Sequence, residues 1–415
     1  MTLVQRVTAS TPTPPRPSDH ERRRLGELFE ELCRIESPSG SERACAERVA
    51  AELRGLGLDV HEDAAGAEAG SECGNLLARI PARESASEAR HGPVEGVPRH
   101  GEGPPCVLLC AHLDTVPLQA PVEPVLVDGG WENAHEGILG ADNKAAVAVL
   151  LALARRVVQE GAPVDLELLF TVCEERSLAG ARALDVAGLQ SDFGYVFDHA
   201  SPIGEVVVAS PCHFRLDVEF RGRAAHAGVR PEEGSSAILA AARAVADMPL
   251  GRLDAETTAN VGTIAGGSAI NVVPERCTFT AEVRSLREEA AEAALAEIVD
   301  CIHEAANLPD CDCDVDIAVQ RSFSGYRTPA SAPAVRAAEA ALRSCGYAPV
   351  QIHSGGASDA NALCAKGLTV VNLANGTERP HEPGERVSVA ALEGMLAVAL
   401  ALPGAVAAQS EPATR

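Results

Sequence analysis

Three runs in the first half of the chain are apolar enough to be buried on both faces, yet each ends in residues that bury badly. Val107–Cys110 leads to His112 and Asp114 (VLLCAHLDTVP), Asp165–Val172 (DLELLFTV) leads to Cys173-Glu174-Glu175, and GYVFD ends at Asp198. Short apolar runs without alternation read as strands covered on both faces, the pattern of parallel sheets flanked by helices. The mostly apolar stretch Lys144–Val158, preceded by Gly140 and Asp142 (GILGADNKAAVAVLLALARRV), supplies such a helix. Strands alternating with helices predict an α/β fold with a mostly parallel sheet. Ligands of such sheets gather beyond the carboxyl ends of the strands. His112, Asp142, Glu174, Glu175 and Asp198 all fall there.

From about Ser210 the pattern changes. Phe214–Phe220, Asn260–Ile264 and Thr278–Val283 alternate, and helices are predicted near Ser235–Met248 and Glu288–Ala306. Alternation implies an antiparallel sheet with one covered face, so an α+β domain is expected, inserted into the first. The chain returns near Gly325 with a helix over Pro333–Cys345 and strands over Pro349–His353 and Leu368–Leu373. A loop Arg379-Pro380-His381-Glu382 then precedes a final amphipathic helix, Val387–Leu402. Upstream, Asp19–Leu56 has a helical pattern, with Ser39 and Ser41 preceding its second helix, and strands follow at Leu58–Val60 and Asn75–Ile80. The expected boundaries are a disordered segment 1–19, main-domain parts 20–209 and 324–405, the insertion 210–323 and a disordered tail 406–415. Pro81–Pro105, polar and without periodicity, reads as a long mobile loop.

At 415 residues the chain has room for two domains. A net charge of −24 argues against a nucleic-acid partner, which needs a basic face, and against an anionic membrane surface. No stretch is expected to be long and apolar enough to span a bilayer. MTLVQRVTASTPTPPRPSD has no apolar run of signal-peptide kind, which predicts a cytoplasmic protein. Thirteen dispersed cysteines, an odd number, read as reduced thiols in the core. Cys311 and Cys313 in PDCDCD lack a second Cys pair or a Cys-His partner nearby.

A strand ending in His-x-Asp suits a metal site, because imidazole binds zinc while a carboxylate nearby fixes its tautomer. The adjacent Glu174 and Glu175 repel each other unless a cation or proton relieves them. Two zinc-sized ions sharing a carboxylate would take His112, Asp142 and Asp198 on one side and Asp142, Glu175 and His381 on the other. Such a pair activates water and polarises a carbonyl. Glu174, left unligated, could take the water's proton and pass it to a leaving amine. Blander readings compete. Asp142 could be a helix N-cap, Glu174-Glu175 a solvated turn, His381 a plain turn, His226 a surface loop histidine and Arg284 a surface ion pair. His135, His199, His213, His303 and His353 read as structural, with His199 placed beside Asp198.

HLDTVP, GADNKAA, CEERSLAGARAL, FDHA and RPHEPGE resemble the co-catalytic dizinc exopeptidases and deacylases that include peptidase T, acetylornithine deacetylase and succinyl-diaminopimelate desuccinylase. GRAAHAGVRPEEGSSAI, LGRLDAETTANVGTIAGGSAINVVPERC and AEVRSL look most like the peptidase-T-like subgroup, and the resemblance runs from Leu25 to Leu402. It implies the ligand set above, Glu174 as base, Asp114 orienting His112, and an inserted domain that covers the site and mediates homodimerisation. It further implies that His226 reaches a substrate carbonyl, often in the partner subunit's site. Asn271 and Arg284 would contact substrate, and Gly355 and Gly356 of HSGGASDAN would let backbone approach it. The expected activity is cleavage of a short peptide by a tripeptidase-like aminopeptidase with two zinc ions, for which cobalt or manganese could stand in. The rivals are an N-acyl amino acid deacylase on the same site and a catalytically inactive binding protein on this fold. The Gly-rich turn departs from peptidase T proper.

Overall fold

In a computed structural model of the chain, residues 16–83 and 103–410 are described. The expected segment 1–19 therefore lies outside the described residues up to position 15, the 81–105 loop over 84–102, and the tail over 411–415. The chain divides into two compact units: Met1–Val208 with Thr328–Ile352 and Ser358–Arg415, and Ala209–Arg327 with His353–Ala357.

The first unit is built on a sheet whose central strands are parallel, in the order Asp165–Thr171, Cys106–His112, Phe193–His199, Val370–Ala374. Leu76–Ile80 and then Val60–Glu62 extend it antiparallel beyond Asp165–Thr171, and at the other side Val206 and Val207 pair antiparallel with Leu373 and Asn372. Cys106–His112 is buried along its whole length, paired on both edges and packed against the helix Ala141–Glu160. That burial explains its unbroken apolar run. In the helix, Val147, Leu150, Leu151 and Leu153 are buried, each contributing about 1.5–3 kcal/mol. Ahead of it, Asp142 and Asn143 have non-helical dihedrals and are joined by a cis peptide bond.

The helix Asp19–Cys33 opens with a capping box between Ser18 and Glu21 and turns Leu25, Phe29 and Leu32 to the core. Arg43–Gly55 follows Ser39 and Ser41, as expected, and neither serine is its N-cap. Its N-cap, Glu42, makes no capping bond; its carboxylate instead accepts from the amides of Gly40 and Cys173 and from the Ser71 hydroxyl. Ser39 is likewise taken from capping, because its hydroxyl donates to Asp114.

The final helix, Val389–Ser410, is longer and less amphipathic than its expected form. Positions 406–410 belong to it, not to a tail. Glu393 is its only charged residue, and Val389–Gln409 is long and apolar enough to cross a membrane, with a mean hydropathy of 1.9. This corrects the expectation that no stretch would be. The physical reason is packing. The helix lies against Ala141–Glu160 and Pro333–Ser344, and a helix covered on several sides has no polar stripe to show.

The second unit is a five-stranded antiparallel sheet in the order Gly251–Arg252, Thr257–Gly266, Arg276–Ser285, Cys212–Arg221, Asp314–Phe323. Burial alternates along Arg276–Ser285, so Cys277, Phe279, Ala281 and Val283 pack with Ala237–Asp247 and Glu288–Ala306, while Glu282 and Arg284 take the other face. All thirteen cysteines are free thiols, and none is exposed.

Candidate active site

The parallel strands bring their terminal residues together. His112 ends its strand 1% exposed. Its Nδ1 lies 3.0 Å from the Asp114 carbonyl oxygen and 3.3 Å from Asp114 Oδ1, which places a proton on Nδ1, so that in the neutral ring Nε2 carries the lone pair a metal would take. That Nε2 is 3.4 Å from Asp142 Oδ1 and 3.4 Å from Asp198 Oδ1. The other oxygen of Asp142, Oδ2, is 3.3 Å from His381 Nε2, and Glu175 Oε1 is 2.8 Å from the same nitrogen. Two triads thus share Asp142, each with its donor atoms within 4.8 Å of one another, and His112, Glu174 and Glu175 form a third such group.

Neighbouring residues hold this arrangement. The buried Asp114 accepts from the amides of Glu174 (3.0 Å) and Glu175 (3.1 Å) and from the Ser39 hydroxyl (2.6 Å). The turn that carries both glutamates begins at Cys173, which adopts a left-handed φ of 50°. Its amide and thiol both donate to Glu42 Oε1. His381 sits in the hairpin loop between Thr377–Glu378 and Arg386–Ser388. Glu385 in the same loop accepts from the amides of Leu139 (2.9 Å), Gly140 (2.8 Å) and Asp142 (2.8 Å). The amides ahead of the helix are therefore met by Glu385, and the Asp142 carboxylate is not an N-cap. It turns to the two imidazoles instead.

Sequence reasoning missed Glu385, Glu42 and Asp359. Asp359 is buried, and its Oδ2 accepts from the Thr171 hydroxyl at the end of the neighbouring strand. Their one trace in the sequence was an acidic residue close to a chemical motif, Glu385 in HEPGE and Asp359 in SGGASD. Nothing local marked them as buried.

The electrostatics call for a cation. Burial disfavours the His112 imidazolium, but the carboxylates of Asp198, Asp114 and Asp142 beside it outweigh that and push the group well above its usual range. Burial also acts to raise Asp142, yet the imidazoles of His112 and His381 beside it hold it below the carboxylate range. Asp198 is raised well above that range, by burial first. His381 is pushed up to about 10 by the carboxylates of Asp142 and Glu175 beside it. Burial, then the charge of Asp198, raises Glu174 strongly. His112 Nε2, Asp142 Oδ1 and Glu175 Oε1 are buried without a hydrogen-bond partner. Such orphaned donor atoms cost free energy unless something binds them. Imidazole nitrogens and carboxylate oxygens are the ligands zinc and its neighbours take, so the residues fit a metal.

The remaining predicted residues lie in the second unit. His226 is exposed and bridges to Val272, and the Ala227 amide donates to the Asn271 carbonyl, so His226 and Asn271 are brought together. Arg284 forms the ion pair of its bland reading, with Glu282, and its Nη1 is 3.4 Å from the Gly355 carbonyl oxygen. The Gly356 carbonyl accepts from the Ser210 hydroxyl, and a Cβ built on Gly355 would meet nothing within 4 Å. Cys311, Cys313 and His199 belong to none of the metal-capable groups found among the described residues.

Comparison with known proteins points to a peptidase. Residues 96–194 match peptidase family M28, and residues 212–308 match the peptidase dimerisation domain of the M20 type. The Bacillus subtilis protein YqjE is 32% identical over 368 residues, 88% of this chain and 94% of that protein. Aminopeptidase PepT from Bacillus cereus superposes with a TM-score of 0.82 at 33% identity, covering 93% of this chain and 99% of that one. A Staphylococcus aureus tripeptidase gives 0.85 at 30% identity, over 94% and 99%. Fold and site together define a metal-dependent peptidase. The chain belongs to the M20 family of metallopeptidases.

Proposed function

We propose that this M20 peptidase is a cytoplasmic, homodimeric dizinc aminopeptidase acting on short peptides, tripeptides foremost. One observation carries the reading: Asp142 turns one carboxylate oxygen to His112 and the other to His381. A carboxylate so placed suits two ions, one held also by His112 and Asp198, the other by Glu175 and His381. Asp114, at Nδ1 of His112, orients that ring. Ions bound there supply a polarised scissile carbonyl and water of lowered pKa.

The chain's own residues do the rest. Glu174, buried in the group that includes His112 and Glu175, is the carboxylate that takes the attacking water's proton and returns it to the leaving amine. His226 accepts the Gly228 amide at Nδ1 (3.2 Å), so its Nε2 is free to donate to the carbonyl oxygen as charge develops there. Asn271, Arg284 and the backbone of Gly355 and Gly356 hold the peptide. The match of residues 212–308 to a dimerisation domain supports a homodimer formed through the second unit. Thirteen unpaired cysteines support a reducing compartment.

The test is turnover by dialysed protein, with and without added zinc, on free-amine di- and tripeptides and on N-acetyl and N-succinyl amino acids. Zinc-dependent cleavage of tripeptides is expected. Cleavage of the acyl amino acids alone would make the protein a deacylase, and bound metal without any turnover would make it a binding protein.

A further inference from the structure

We propose that Glu282, braced by His213, is a positioning residue that sets the guanidinium of Arg284 for a substrate carboxylate; this rests on the reading of Arg284 as a substrate contact. Glu282 and Arg284 are two residues apart on one strand and so share a face. The Glu282 carboxylate accepts from Arg284 Nε (3.2 Å) and Nη2 (3.0 Å). Those two donors form one edge of the planar fork. The remaining N–H groups, on Nη1 and Nη2, form the other edge, which is the geometry a second carboxylate would take. Nη1 donates to the Gly355 carbonyl oxygen at 3.4 Å, so this edge borders the Gly-rich turn.

Glu282 is itself fixed. Its Oε2 lies 3.0 Å from His213 Nε2, and His213 stands opposite Arg284 on the neighbouring strand. The His213 ring stacks on Phe323, with centroids 5.1 Å apart and planes 21° apart. Its Nδ1 is buried without a partner, which leaves Nε2 as the protonated donor to Glu282. The order Phe323, His213, Glu282, Arg284 thus runs from a packed ring to a half-exposed cation. An arginine held this way gives up less freedom when it binds a ligand. Arg284 would then recognise the carboxylate with a plane chosen beforehand.

The experiment compares KM for a tripeptide with a free C-terminal carboxylate and for its C-terminal amide, using the metal-loaded full chain. Arg284→Met should raise KM for the acid about a hundredfold and leave KM for the amide within about twofold. Glu282→Gln should raise KM for the acid about tenfold, with kcat and the amide KM nearly unchanged, and Glu282→Asp should recover part of that loss. KM does not depend on the fraction of enzyme that folds, and His213→Gln, with a smaller shift of the same sign, serves if Glu282→Gln yields no enzyme. An acid KM that is unchanged or lower in Glu282→Gln while Arg284→Met raises it would overturn the positioning role alone. An unchanged acid KM in Arg284→Met would remove the substrate contact beneath it.

Discussion

Glu174 and Glu175 are neighbours in the chain with different surroundings. Both amides are tied to Asp114, yet the Glu175 carboxylate meets His381, whereas Glu174 is grouped with His112 and Glu175. Two acids so close must differ in protonation or in ligation. That difference predicts distinct mutants. Glu174→Gln should keep the metal content measured by plasma emission and lower kcat about 10²–10⁴-fold. Normal turnover in that variant would show that the base is another group. The adjacent pair was legible in the sequence as a problem of charge. Which glutamate faces which histidine came from the family resemblance and not from charge or period, because a turn with a left-handed residue at Cys173 decides it. At Arg284 the plain reading holds: the fork is paired with Glu282 on one edge, while Nη1 reaches the Gly355 carbonyl.

Elements place these residues, and the placing contacts are mostly backbone amides received by buried carboxylates. Glu385 ties the hairpin that carries His381 to the loop that carries Asp142. Burial pushes its carboxyl up to about 7 against the pull of those amides. Glu385→Gln keeps the volume but sets an amide N–H against at least one backbone donor. Metal affinity should fall about 10–100-fold, the range for partners that orient ligands, and competition with a chromogenic chelator would measure it. Unchanged affinity would mean that the two loops keep their spacing without this tie. The helix Val389–Ser410 teaches the converse lesson at the same scale. Its end and its lack of a polar face follow from the helices packed around it, so periodicity alone misjudged both.

For the whole molecule, metal and stability should be linked. His112, Asp142, Glu175, Asp198 and His381 come from five separate segments of the first unit, and without a cation their carboxylates repel. Chelation should therefore lower the melting temperature, by the equivalent of about 3–4 kcal/mol where metal had stood at 100–1,000 times its Kd. Hydrogen exchange should quicken at the amides of Leu139, Gly140 and Asp142, while the second unit, whose core contains none of these ligands, keeps its protection. A melting curve indifferent to chelator would argue against a metal at this site. By itself the sequence determined the alternation of buried strands and helices, the change to half-covered strands after Ser210, and the clustering of acids and histidines at strand ends. These are properties of period and burial, which each segment carries locally. The sharing of Asp142 between His112 and His381 was implied by the resemblance, but only the tertiary structure decided that one of its oxygens turns to each ring, that Glu385 receives the amides beside it, and that an apolar helix of membrane-spanning length is packed against other helices. Those outcomes depend on which distant surfaces meet, and a local pattern holds no record of its partner.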